Sequence, residues 1–108
     1  MADATFKSVN PANGTLIEEF TPFSPDQVNG AIERAHHCFG SWRKTGFDER
    51  AQLMRAAADV LEKHAARYAA DMTSEMGKPL SQAIAEIRKC TWVCRHYANH
   101  AETYLADE

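Results

Sequence analysis

Apolar residues recur along this chain in three long stretches at alternating steps of three and four, the spacing that lines one face of an α-helix. A shorter stretch near the start behaves differently. There, Phe6 to Val9 and Thr15 to Phe20 are rich in β-formers, and the turn-prone run Asn10-Pro11-Ala12-Asn13-Gly14 lies between them. This pattern predicts a β-hairpin over about 6–20, with Asn13 or Gly14 taking a positive φ. A lone two-stranded ribbon is marginal in water and needs something to lie on.

The first helix is predicted over about 25–43. Ser24 suits the N-cap, Pro25 the first helical position and Gln27 the return half of a capping box, while Phe23 and Val28 can close a hydrophobic staple. Val28, Ala31, Ala35, Phe39 and Trp42 then form one stripe, expected to be buried. A second helix is predicted over about 46–76, opened by Thr45 and Asp48 as capping groups and carrying Met54, Ala57, Leu61, Ala65, Tyr68 and Met72 as its core stripe. The third, over about 79–106, has Leu80, Ile84, Ile87, Thr91, Cys94, Ala98, Ala101 and Leu105 on one row. A second row, Ala83, Cys90, Tyr97 and Tyr104, recurs every seven residues beside it. Two such rows demand more covering surface than the neighbouring helices supply, so a second copy of the chain or further polypeptide is expected to pack there.

Between the second and third helices stands Gly77-Lys78, a pair that invites comparison with a phosphate loop. A Walker-type loop needs a glycine five residues earlier, a Ser or Thr after the lysine and a strand leading in. Position 72 is Met, position 79 is Pro, and the preceding segment reads as helix. The five glycines, at 14, 30, 40, 46 and 77, form no dinucleotide fingerprint either. Gly77 is instead expected to end one helix in the left-handed conformation, with Pro79 in the first turn of the next.

Composition changes this picture little, but charge narrows it. The chain has 108 residues, 25% of them charged and 44% hydrophobic, which suits a single folded segment. A formal net charge of −3 provides no broad positive field for nucleic acid, and in the third helix Arg88, Lys89 and Arg95 are offset by Glu86 and Glu102. No apolar run approaches the roughly twenty residues that span a bilayer, and MADATFKSVN lacks a secretory pattern. The expectation is therefore a cytoplasmic chain without nucleic-acid or membrane partners.

Three cysteines, Cys38, Cys90 and Cys94, are too few and too odd in number for a disulfide scaffold. Cys90 and Cys94 share a helical face and His96 and His100 follow, which raises a zinc reading. The usual short Cys-Cys loop spacing is missing, however, and Trp92, Val93 and Tyr97 look like packing residues. Buried structural thiols are the expectation.

The ordered series SVNPANGTLIEEF (8–20), SPDQVNGAIERAHHCFGSWRKTGFDERAQLMRAAADVLEKH (24–64), EMGKPLSQAIAEI (75–87) and CRHYANHAETYLADE (94–108) resembles the N-terminal region of the NAD(P)-dependent aldehyde dehydrogenase superfamily. It is most similar to the succinate-semialdehyde dehydrogenase type. The resemblance covers essentially the whole chain and implies the peripheral part of an α/β cofactor-binding domain, mainly α here, with the remainder of a longer chain as its partner.

In that family an aldehyde is oxidised on a catalytic Cys with NAD or NADP as acceptor, and a Glu-activated water releases the acid. The resemblance places the nucleophile, that Glu and the dinucleotide-binding residues beyond the matched region. No catalytic or cofactor-binding residue is therefore expected here, and neither NAD nor NADP is expected to bind this chain alone. For some members the resemblance implies a monovalent cation held by the carbonyl matching Val9 and a carboxylate matching Glu75, against the simpler reading of Glu75 as a solvated last-turn residue. It also implies that the helix around Trp92 approaches the aldehyde entrance, against the reading of Trp92 as a core residue. From the residues alone, a stand-alone helical module that self-associates through the third helix is the alternative function.

Overall fold

A computed structural model describes residues 4–108. Its elements are β1 (Phe6–Val9), β2 (Leu16–Phe20), α1 (Pro25–Trp42), α2 (Phe47–Lys63), α3 (Ala65–Met76) and α4 (Leu80–Tyr104). The chain divides into two compact units, one ending at Thr45 and the other running Gly46–Glu108.

In the first unit β1 and β2 pair antiparallel, with Phe6 opposite Phe20, Lys7 opposite Glu19 and Val9 opposite Leu16, and the register shifts between Ser8 and Val9. The turn is held from within. Asn10 donates its N–H to the Thr15 carbonyl at 2.9 Å and accepts from Gly14 N–H at 2.8 Å. Asn10 Oδ1 also takes the Ala12 N–H, and Asn13 Oδ1 takes that of Thr15. Of the two residues expected to carry the positive φ, Gly14 does so, at 74°. Across the ladder the Phe6 and Phe20 rings stack at 5.2 Å.

Helix α1 begins as its sequence predicts. Ser24 Oγ accepts from Gln27 N–H at 3.2 Å, and Gln27 Oε1 accepts from Ser24 N–H at 2.8 Å, the reciprocal pair of a capping box. The burial expected of its stripe does not follow. No residue of α1 is buried, and Phe39 is 55% exposed. A periodic apolar face shows that a helix can bury a side, and burial itself needs a partner surface.

The second unit packs α2 and α3 against the 25-residue α4. The predicted helix over 46–76 is interrupted at His64, which takes φ −110° and ψ 20° and serves both as the last cap of α2 and the first of α3. Neither glycine nor proline marks the break, so periodicity runs straight through it. The two segments lie along different halves of α4. Arg55 and Asp59 of α2 meet Asn99 and Arg95, whereas Ala69 of α3 packs with Ala83 and Ile87. At the start of α2 the N-cap is Gly46, and the Thr45 hydroxyl donates to the Trp42 carbonyl at 2.7 Å.

The core is made of small side chains. Ala58, Ala69 and Ala83 are fully buried and Ile87 is 4% exposed, with Leu61, Ala65, Tyr68, Met72 and Ile84 partly buried around the α3–α4 part of it. Alanine at the contact lets helix backbones approach closely. In α2 the buried position is Ala58, where the stripe predicted Ala57 and Met54. The run Ala56-Ala57-Ala58 carries no phase information, so the pattern slips by one there. Thr91, in the apolar row of α4, is buried with its hydroxyl donated to the Ile87 carbonyl at 3.1 Å.

Candidate functional site

Gly77 ends α3 with φ 72°, its N–H bonded to the Thr73 carbonyl at 3.0 Å, and Pro79 occupies the N-cap of α4. Only glycine takes that conformation without a Cβ clash, which accounts for the pair's first residue. Lys78 accounts for the second: its ammonium is paired with Glu86, two turns into α4. With the lysine's charge already met inside the unit, Gly77-Lys78 is a helix junction. Among the described residues no glycine-rich loop leads into a helix.

Where α2 gives way to α3, a groove of about 620 Å³ runs between these helices and α4, lined by Glu62, Lys63, Ala65, Ala66, Ile84, Ile87, Arg88, Thr91, Trp92 and Arg95. Arg95 closes one wall. Its Nη2 donates to Glu62 Oε2 at 2.8 Å and to Asp59 Oδ1 at 2.9 Å. The hydrogen bond to Glu62, and then that to Asp59, raises the pKa of the guanidinium. Its charge is thereby spent on α2, and no nucleophile with an adjacent base lines the groove.

The cysteines lie elsewhere. Cys38 and Cys90 are exposed and Cys94 is half-buried, so the buried thiols expected from the sequence are not found. Cys90 and Cys94 sit with Ala85, Glu86, Lys89 and Val93 on one side of α4. His96 follows Cys94 by two residues, roughly 200° further round the helix, so a single ion cannot take both pairs of side chains. Among the described residues no three His, Cys, Asp or Glu side chains converge on one point.

The remaining residues singled out by sequence are exposed. Val9 closes β1 in the first unit, and Glu75 is exposed in the last turn of α3 in the second. Trp92, expected as a core residue, is 62% exposed in this chain. It opens a ladder of rings that sequence reasoning passed over: Trp92 stacks on His96 at 5.2 Å, His96 on His100 at 4.5 Å and His100 on Tyr104 at 5.8 Å. The four-residue step between these rings is visible in the sequence and was the available signal. No helix among the described residues is long and apolar enough to cross a membrane.

Comparison with known proteins places this geometry. Residues 1–108 match the family model described as the aldehyde dehydrogenase family. The chain is 48% identical over 108 residues to a probable succinate-semialdehyde dehydrogenase [NADP(+)] of Synechocystis sp., covering all of this chain and 23% of that protein. It is also 48% identical over 101 residues to succinate-semialdehyde dehydrogenase [NADP(+)] 1 of Mycobacterium tuberculosis, covering 94% of this chain and 22% of that one.

Among solved structures, the succinic semialdehyde dehydrogenase of Streptococcus pyogenes in complex with NADP+ superposes with a TM-score of 0.86 at 26% identity, over 94% of this chain and 22% of that one. The NADP-dependent glyceraldehyde-3-phosphate dehydrogenase of Bacillus halodurans does so with a TM-score of 0.85 at 28% identity, over 91% and 21%. The chain thus spans under a quarter of the length of these relatives.

Proposed function

This chain belongs to the aldehyde dehydrogenase family, and from that premise we propose that it forms the N-terminal portion of an NADP-dependent enzyme oxidising succinate semialdehyde to succinate. The observation that carries the reading is 48% identity along its entire length to a probable succinate-semialdehyde dehydrogenase [NADP(+)]. In this reading the chain contributes packing surface and no reacting group. The exposure of Phe39 and Trp92 supports it, because apolar side chains on helices of a longer polypeptide need a further layer to cover them. Hydride transfer to the nicotinamide belongs to the residues that complete the enzyme.

Two preparations test this. The 108-residue chain alone is expected to give no reduction of NADP+ with succinate semialdehyde. Grafted in place of the matching segment of the Synechocystis relative, it is expected to yield an active enzyme. Turnover by the lone chain, or a folded chimera devoid of activity, overturns the proposal.

A second reading, self-association through α4, draws on the exposure of Cys90, Tyr97 and Tyr104 along one row. Sedimentation of the lone chain separates the two readings. A sharp monomer–dimer equilibrium supports the module, and ill-defined association supports the missing layer.

A further inference from the structure

We propose that His96, His100 and Tyr104 form a binding site for a borderline divalent cation of the nickel, copper or zinc type on the outer face of α4. The imidazole rings lie one turn apart with centroids 4.5 Å from each other. Tyr104 closes the group, its hydroxyl 3.0 Å from His96 Nε2.

The tautomer of His100 is set by its surroundings. Its Nδ1 lies 2.8 Å from the His96 carbonyl, and a carbonyl only accepts, so Nδ1 carries the proton and Nε2 keeps its lone pair. A backbone carbonyl holding one ring nitrogen while the other is left open is the arrangement that orients metal-ligating histidines. His96 Nε2 is satisfied only by a hydroxyl, which can reorient or itself become the oxygen donor. The two imidazole planes lie within 24° of parallel, and the soft χ2 torsions leave their free nitrogens room to adjust toward one ion. Two nitrogens and one phenol oxygen suit imidazole-preferring cations over calcium or magnesium. In the 108-residue chain His100 and Tyr104 are exposed, so an ion reaches them there without unfolding the helix.

The test is titration of the 108-residue chain with Ni2+, followed by NMR of the aromatic rings and by absorption. The expected result is saturable one-to-one binding in which the His96, His100 and Tyr104 ring signals broaden before those of His36, His37 and His64. No thiolate-to-nickel charge-transfer band should appear. His100→Gln should weaken binding at least about ten-fold, and Tyr104→Phe should weaken it by roughly ten-fold, as loss of a supporting partner does. Each variant is checked for unchanged helix content by circular dichroism. Earlier broadening at His36 and His37, a thiolate band from Cys90 and Cys94, equal affinity in His100→Gln, or no saturable binding overturns the site.

Discussion

Replacing Ile87 by alanine probes the contact on which the second unit depends. Ile87 is 4% exposed and sits among Ala69, Ala83, Leu61, Ala65, Tyr68, Met72 and Ile84, so it is the large aliphatic side chain that α4 buries in this cluster. The change removes three carbons. At about 0.8 kcal/mol per buried methylene the lost transfer energy is roughly 2.4 kcal/mol, and the space left behind raises the cost to about 3–4 kcal/mol. The surrounding alanines have no atoms with which to refill that space.

A core this small rarely supplies more than about 3–5 kcal/mol in total. Ile87→Ala is therefore expected to abolish the cooperative urea transition followed by far-ultraviolet circular dichroism, while Ile87→Val should cost only about 0.5–1.5 kcal/mol. Leu105→Ala is the control, because Leu105 is 70% exposed and should shift the midpoint by under about 0.5 kcal/mol. Equal losses in Ile87→Ala and Leu105→Ala would refute the assignment of this core.

Three further outcomes are expected. Ser24→Ala removes one half of the capping box and should cost α1 about 1 kcal/mol, seen as faster amide exchange at Gln27; unchanged exchange would contradict the cap. Gly77→Ala forces a Cβ into a φ of 72° and should cost about 1–2 kcal/mol in the urea midpoint, with Gly77→Asn cheaper, whereas equal costs for the two would argue against left-handed strain. Ala83→Leu overpacks the contact with Ala69 and should cost about 1–3 kcal/mol by the same assay, and a neutral result would show the helices to be further apart than they are here.

Local chemistry by itself determined where most elements begin and end. Ser24, Pro25 and Gln27 open α1, Gly14 and the two asparagines close the hairpin turn, and Gly77 separates α3 from α4, each through backbone groups within a few residues. The row from Ile84 through Ile87 and Thr91 was likewise legible, since three-four spacing on an unbroken helix has one phase. The family resemblance was also carried by order and spacing alone.

Tertiary structure decided what local pattern leaves open. The break at His64 has no glycine or proline to announce it, and the alanine run at 56–58 fits more than one phase, so Ala58 is picked out as buried only by the packed fold. Burial of the α1 stripe failed for a related reason: periodicity states which side of a helix can be covered, while covering requires a surface from residues far away in the chain. The ring ladder on α4 needed rotamers as well as spacing, because four-residue steps bring side chains near and only their torsions bring His96, His100 and Tyr104 into contact.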